Sequence, residues 1–404
     1  MPIAKKATSP TPHARLLAAA FLWGTSASQL TALVVGWRAS GVDPRAISLI
    51  LSSSTAAVLV SSVVAGWLMS RMAIGQVLML GACTALCGIV ALPFAAPMAA
   101  ALAKACQGGG FGVFLPAAVL CAKTRADGHG QASHAGMVTA ALLAPMAFGP
   151  TLGAWALGAG RWAFLASTAL PMMAALLLVR RLHVAAEAQS SAAAGYAALL
   201  HDRRLWLPCA STVQSGLGYG FALTFLPLML ANWAVPVAVF FGPFTVVLLV
   251  TRSYGLHRLR GLAAPTQVVL GLSACALAFG LLLLGAVAAA ACLLALGYGI
   301  VYPAASEWAS SLHAADERAK PVALVTASFH LGSIIVVQAT GWMLPLGWCH
   351  VLGAIILVYL VGILSQLVAT RVAAGRALTA ARPRSGQNYA LQMGTTAYRR
   401  SKTT

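Results

Sequence analysis

The stretch RLHVAAEAQSSAAAGYAALLHDRR, residues 181–204, is the longest polar interruption within an otherwise apolar chain. Arginines stand at both of its ends, and an alanine-rich run with two adjacent serines lies between them. Long apolar runs separated by short basic clusters flank it on either side. The stretch therefore indicates a linker between two sets of membrane spans, not a loop within one compact soluble domain.

The composition indicates that most of the surface faces lipid. The 404 residues are 60% hydrophobic and only 8% charged, with a mean hydropathy of +0.85, whereas about a quarter of the residues of a soluble domain are charged. The net charge of +19 comes from scattered clusters, a pattern that argues against a nucleic-acid partner. The eight cysteines lie in or beside apolar runs without a Cys-x-x-Cys pair, so no disulfide, metal site or cofactor is predicted.

The apolar runs predict an all-α membrane protein. A bilayer core of about 30 Å requires roughly 20 apolar residues in a helix. The runs that meet this length lie at 15–37, 46–69, 75–96, 98–122, 135–158, 162–180, 205–231, 235–254, 265–286, 288–312, 321–344 and 347–370. We number them spans 1 to 12. They form two six-helix halves, 15–180 and 205–370, joined by the linker 181–204.

The basic residues predict the orientation. With the N-terminal segment 1–14 in the cytoplasm, most of the 26 lysines and arginines fall in cytoplasmic segments, as the positive-inside rule requires. Only Arg38, Arg45 and Arg161 fall in loops on the other side. The sequence thus predicts a multi-pass inner-membrane protein with both termini in the cytoplasm. We expect the basic tail 371–404 to be disordered and attracted to anionic lipid head groups.

Paired six-helix halves are typical of a transporter whose substrate site lies near the bilayer midplane, between the halves. A membrane-bound enzyme is disfavoured. The sequence contains no soluble catalytic domain, metal-ligand cluster or nucleotide-binding loop, since the triple glycine 108–110 lies inside a span and follows no strand.

Four short motifs follow one another along the first half. They consist of Gly66, Leu68, Arg71 and Gly75 between spans 2 and 3; Lys104, Gln107, Gly108 and Gly110 in span 4; Gly149, Pro150, Gly153 and Ala154 in span 5; and GRWAF at 160–164. In these residues the chain resembles the major facilitator superfamily over about 15–370, and in span 5 it resembles the drug and metabolite antiporters. The resemblance implies transport by alternating access, with helices 1, 4, 7 and 10 facing the cavity.

The motif residues also have physical roles that do not depend on the family. Glycines in span 4 allow a neighbouring helix to approach closely. Pro150 releases a backbone carbonyl and bends span 5, as a moving gate requires, although ordinary packing glycines would give a similar pattern. The chain departs from the family at Ser70, where the family has an aspartate, so a charge relay in that loop is not expected.

Three ionisable residues in the spans are candidates for proton coupling. Glu307 is the only one of the seven acids that falls within a predicted span, and charge in a span is costly enough to suggest function. It could instead pair with Arg318 or Lys320 as a structural latch. His330 in span 11 could exchange a proton with Glu307 or remain neutral. Lys104 replaces the family's arginine in span 4, and it could titrate, bind an anionic substrate or reach the outer interface.

The spans that the resemblance places at the cavity supply amide and aromatic side chains that suit a polar or zwitterionic solute. These candidates are Trp23, Gln29, Gln107, Gln214, Tyr219, Tyr298 and Tyr302. The leading hypothesis is a monomeric, proton-coupled exporter of a metabolite, drug-like compound or metallophore, since the span 5 motif resembles that of antiporters. The alternative is a proton-coupled importer of a small anionic or zwitterionic metabolite, which Lys104 and the scarcity of acids in the spans favour.

Overall fold

A computed structural model describes residues 12–69, 71–123, 131–180, 182, 201–259, 261–313 and 319–380. Within these ranges the chain is helical and contains no strand. Ten of its helices are long and apolar enough to cross a membrane, and two further pairs of helices meet this test when each bent pair is taken as one span. The all-α fold is thereby confirmed, and the helices agree with the twelve predicted spans.

The first half begins at span 1, which consists of two helices, and ends at span 6. The bounds are Pro12–Gln29 and Ala32–Ala39 for span 1, Pro44–Met69 for span 2, Ile74–Ala91 for span 3, Pro97–Lys123 for span 4, Gln131–Leu143 and Gly149–Gly158 for span 5, and Arg161–Arg180 for span 6. Of the linker, the structure describes only residue 182 and the last few residues from 201 onward.

The second half again begins with a broken helix. The bounds are Trp206–Thr224 and Leu226–Asn232 for span 7, Ala238–Val250 for span 8, Ala264–Leu283 for span 9, Val287–Ser311 for span 10, Ala319–Met343 for span 11, and Trp348–Ala380 for span 12. A π-helical turn at Thr251–Gly255 and a short helix at Leu256–Leu259 follow span 8. The predicted spans agree with these helices to within a few residues at most ends, except for the long extension of span 12.

Two buried cores lie side by side. One is formed within spans 1 to 6, and the other within spans 7 to 12 together with a few residues of spans 1, 2 and 5. Large apolar side chains remain exposed around the perimeter, among them Trp155, Trp162 and Leu284. In a helix bundle of this composition such side chains face lipid, because lipid requires no polar shell.

Glycines let the helices of the first half pack backbone against backbone. A Cβ on Gly110 would lie 2.8 Å from the Cβ of Ala85 in span 3, and one on Gly108 would overlap the backbone of Ser54 in span 2. Gly149 and Gly153 of span 5 approach span 1 just as closely, at Ser28 and Gln29. These four positions therefore set the distances between the helices that surround the centre of this half.

Span 5 breaks close to the expected position, but two prolines are involved. Its two helices meet at 44°, across the 3₁₀ turn Ala144–Ala147 that contains Pro145. Pro150 is the second residue of the second helix and lacks the N–H that would bond the carbonyl four residues earlier. Both prolines thus interrupt the backbone ladder at the same place. The sequence predicted the contribution of Pro150 but not that of Pro145.

The two halves contact each other at the end that bears the loop between spans 1 and 2. The Arg45 guanidinium lies 4.1 Å from the ring centroid of Trp342 in span 11. Gln338 Nε2 donates to Ser52 Oγ of span 2 and to the Ser48 carbonyl at 3.4 Å. These contacts hold spans 2 and 11 together at this end of the bundle.

The motif between spans 2 and 3 lies at the opposite end. Arg71 is exposed and stacks over Trp67 of its own half, 4.4 Å from the ring centroid. Gly66 has open space beside it, whereas a Cβ on Gly75 would lie 2.9 Å from the Leu182 carbonyl after span 6. Ser70, where the chain departs from the family, lies outside the described residues.

Candidate functional site

A cavity of about 220 Å³ lies between the halves. Spans 1, 2, 4 and 5 form its wall on one side, and spans 7 and 11 form its wall on the other. Each half of the protein therefore contributes one wall of this chamber. A solute held in it contacts both halves at once.

Three broken helices meet at the cavity. Thr31 at the break of span 1, Leu143 and Met146 at the break of span 5, and Thr224 at the break of span 7 all line it. Spans 1 and 7, the first helices of their halves, break at corresponding positions, and the break in span 7 is a bend of 48°. Paired interruptions of this kind mark the binding site in transporters built from repeats.

Lys104 is the charged side chain of this cavity. It is only 8% exposed, and its Nζ donates to Gln107 Oε1 at 3.2 Å. Ser54 Oγ donates to the same oxygen from span 2, also at 3.2 Å. Within the described chain Lys104 has no carboxylate partner, because the ion pairs there all involve Asp202. The charged form of Lys104 therefore has no counter-charge among the described residues, an arrangement that is costly unless an anion binds beside it.

His330 and two aromatic side chains line the opposite wall. Tyr219 in span 7 stacks on Tyr298 in span 10 with ring centroids 4.5 Å apart, and Phe329 packs against both rings. His330 lies next to them in span 11, and no hydrogen bond or ion pair holds its imidazole within the described residues. Of the three coupling candidates, Lys104 and His330 thus share one chamber.

Glu307, the third coupling candidate, lies elsewhere. Its side chain is exposed on span 10 and does not line the cavity. Glu307 therefore does not share the chamber with Lys104 and His330. The alternative partners, Arg318 and Lys320, lie outside the residues whose side chains the structure describes.

The seven cavity candidates divide into three groups. Three of them line the chamber, namely Trp23, Gln107 and Tyr219. Trp23 stacks on Phe114 with ring centroids 4.3 Å apart. Tyr298 and Tyr302 lie behind its wall, and the Tyr302 hydroxyl is 2.8 Å from Thr326 Oγ1. These two tyrosines support the wall, and they do not line the cavity.

The other two glutamines join helices within their own halves. Gln29 Nε2 donates to the Ser167 carbonyl of span 6 at 2.9 Å, and Gln214 Nε2 donates to the Val358 carbonyl of span 12 at 3.1 Å. They occupy equivalent places, since each connects the first span of its half to the last. Their role here is to hold the six-helix bundles together.

Several lining residues were not predicted. Ser54 and Thr55 of span 2 and Phe329 of span 11 line the cavity, but the resemblance directs attention to helices 1, 4, 7 and 10. The polar run SSST at 52–55 was a usable signal, since four consecutive hydroxyl residues are unusual in a lipid-facing helix.

An ionic cluster lies away from the cavity, where the linker meets span 7. Asp202 accepts from Arg204 Nη2 at 2.9 Å, and His313 Nε2, just beyond span 10, lies 3.4 Å from the same carboxylate. The hydrogen bonds from Arg204 hold the pKa of Asp202 below its ordinary value. The cluster connects the beginning of span 7 to the end of span 10.

Comparison with known proteins agrees with this architecture. Residues 15–336 match the Major Facilitator Superfamily, whereas no curated protein matches the chain as a relative. The solved structure of the nucleoside transporter NupG is similar, with a TM-score of 0.75 at 11% identity, over 89% of this chain and 99% of that one. The peptide transporter POT in complex with alafosfalin gives a TM-score of 0.75 at 16% identity, over 92% and 97% of the two chains.

A POT family transporter in complex with 5-aminolevulinic acid has a TM-score of 0.74 at 12% identity, again over 92% of this chain and 97% of that one. At such low identity these likenesses show the fold alone. The family match covers most of the chain and agrees with the helix count, the broken helices and the chamber between the halves. The chain belongs to the Major Facilitator Superfamily and is a multi-pass membrane transporter.

Proposed function

We propose that this transporter carries a small anionic or zwitterionic solute across the inner membrane together with a proton. The observation that supports the proposal most strongly is the burial of Lys104 in the cavity without a carboxylate beside it in the described chain. An unpaired ammonium in a site of low dielectric constant is costly, and a bound anion removes much of that cost. The cavity thus suits a solute that brings the missing negative charge.

The architecture supports transport by alternating access. The cavity takes its walls from both halves, while the contacts of Arg45 with Trp342 and of Gln338 with Ser52 join the halves at one end. Exchange of these contacts for new ones at the other end would expose the cavity to the opposite side. The breaks in spans 1, 5 and 7 provide points of bending at the level of the solute.

Coupling follows from thermodynamic linkage at Lys104. If the anion binds to the protonated amine, a bound proton strengthens anion binding and a bound anion strengthens proton binding by the same factor. The carrier then reorients either empty with a neutral amine or loaded with an ammonium and an anion. In both forms the cavity has no net charge. Such a carrier moves one proton with each anion, which means uptake when the proton gradient points inward.

Proton-coupled export of a metabolite, drug-like compound or metallophore is the second candidate. The break of span 5 beside Gly149 and Pro150 favours it, because this motif resembles that of antiporters. In an exporter the proton and the solute cross in opposite directions and therefore exclude each other from the site. In the uptake mechanism they bind together, so the two candidates predict opposite responses to an imposed gradient.

The proposal places both termini in the cytoplasm and treats a single chain as the transport unit. The distribution of basic residues supports this orientation, and the helices of one chain form both walls of the cavity. A reporter fused at the exposed Asp43 should therefore respond as periplasmic, and one fused to the tail as cytoplasmic. A cytoplasmic response at Asp43 would reverse the orientation.

Solute flux in proteoliposomes tests the function. The purified protein would be reconstituted and offered labelled small sulfonates, carboxylates and amino acids, with protein-free liposomes as the control. The proposal expects accumulation under an inward proton gradient and its loss on addition of a protonophore. Gradient-driven movement outward would instead assign export, and flux indifferent to the gradient in either direction would contradict proton coupling.

A further inference from the structure

We infer that the solute is an organic monoanion with a flat, apolar body and uncharged hydrogen-bond donors, and that it carries no ammonium group. The inference rests on the proposed function and narrows it from anions and zwitterions to a single class. It is carried by three features of the cavity: its charge, the hydrogen bonds that its polar groups already make, and its aromatic walls.

The first feature is the charge. Lys104 has three N–H donors and uses one of them on Gln107 in the described chain. The remaining donors and the full positive charge are available to one anionic group of the solute. An ammonium on the same solute would place a second cation in a cavity whose described lining contains no carboxylate. Charge complementarity therefore favours a solute with a net charge of minus one.

The second feature is the state of the polar groups. Thr31, Thr224 and Ser333 line the cavity, and each donates its hydroxyl hydrogen to a backbone carbonyl. Gln107 Oε1 already accepts from two donors. The hydroxyl groups thus offer lone pairs to the solute while their hydrogens are occupied. Such acceptors suit the uncharged O–H or N–H groups of a solute, but they supply no negative charge for an ammonium.

The third feature is the aromatic character of the walls. Phe111 lines the cavity from the first half, and Tyr219 and Phe329 line it from the second. Aromatic surfaces on both walls favour a flat, apolar body.

A matched series of probes separates the classes. 4-(Hydroxymethyl)benzenesulfonate is a permanent monoanion with one uncharged donor, 4-(hydroxymethyl)benzenesulfonamide is its uncharged counterpart, and 4-(aminomethyl)benzenesulfonate is the zwitterion of nearly the same size and shape. Dissociation constants would be measured for the purified full-length protein in detergent. We expect the monoanion to bind at least about tenfold more tightly than the other two probes, because only it completes the charge of the cavity.

Variants then assign the preference to its residue. Lys104→Met should remove the preference for the monoanion, and Lys104→Gln, which retains a donor towards Gln107, should remove it as well. Arg161→Met removes one positive charge from an exposed position outside the cavity and should leave the preference intact.

Binding of the zwitterion as tightly as the monoanion would overturn the inference and leave the proposed function standing. Failure of the monoanion to bind would overturn it too, as would an undiminished preference in both Lys104 variants. Failure of the proposed function has a different signature, namely the absence of gradient-driven flux for every solute in proteoliposomes.

Discussion

Replacement of Lys104 by methionine removes the lysine charge from the cavity and changes the length of the side chain only a little. Two unit charges about 4 Å apart interact by about 4 kcal/mol at an effective dielectric constant of about 20. Desolvation of the anion offsets part of this energy. Because each 1.4 kcal/mol corresponds to a factor of about ten, we expect the affinity for a monoanion to fall by about 100- to 1,000-fold.

Stability should not fall in the same way. The variant loses the hydrogen bond from Lys104 to Gln107, which is worth about 1 kcal/mol. It also loses a buried amine whose charged form has no counter-charge in the described chain, and this loss offsets that of the hydrogen bond. The free energy of unfolding should therefore stay within about 1 kcal/mol of wild type or rise.

Both quantities can be measured on the same purified samples. Calorimetric titration with 4-(hydroxymethyl)benzenesulfonate gives the dissociation constant, and a thermal melt in the same detergent reports on folding. Arg161→Met serves as the control for the loss of one charge, since Arg161 is exposed and outside the cavity. A change in affinity below about threefold, in a variant that melts like wild type, would refute the assignment of Lys104 as the anion ligand.

Three further variants test other parts of the molecule. Glu307→Gln should leave gradient-driven flux within about twofold of wild type, because the exposed side chain lies outside the cavity. Complete loss of gradient dependence would show that Glu307 takes part in coupling. Gly110→Val should lower the melting temperature by forcing spans 3 and 4 apart, whereas Gly280→Val, which has open space beside it, should not. The double change Pro145→Ala with Pro150→Ala should straighten the 44° bend and slow flux at least about tenfold in a folded protein. Either change alone should have a smaller effect. Flux equal to that of wild type in the double variant would mean that the bend serves packing only.

The sequence predicted the order and number of the spans because the bilayer imposes a length on each helix. It did not predict the breaks in spans 1 and 7. Hydropathy depends on side chains, whereas a break depends on backbone hydrogen bonds. Span 1 breaks at Leu30 and Thr31 without a proline or glycine to mark the place. Span 7 has Pro227 just after its break, a signal that was present in the sequence.

The site was predicted in part. Lys104, Gln107, Trp23 and Tyr219 lie in the cavity as the family architecture implies, and His330 joins them. Which face of a helix turns inward could not be predicted from the pattern of apolar residues. In a membrane both the lipid-facing and the core-facing sides are apolar, so the amphipathic pattern that orients a helix in a soluble protein is weak.

Two glutamines and one acid lie outside the cavity for this reason. Gln29 and Gln214 have the polarity of a cavity residue, yet each faces another helix of its own half. Glu307 falls within a predicted span, yet its side chain is exposed. Whether such a residue lines a chamber is decided by how neighbouring helices pack, and a single sequence does not contain that information.

The central claim is that a proton and an anion cross together at Lys104 with no net movement of charge. It is tested most directly by the separation of the two components of the proton-motive force in proteoliposomes loaded with the wild-type protein. An inward pH gradient without a membrane potential should drive accumulation of labelled 4-(hydroxymethyl)benzenesulfonate, and a potassium diffusion potential without a pH gradient should drive none. Accumulation or expulsion driven by the potential alone would contradict the account, since it would mean that net charge crosses with the solute.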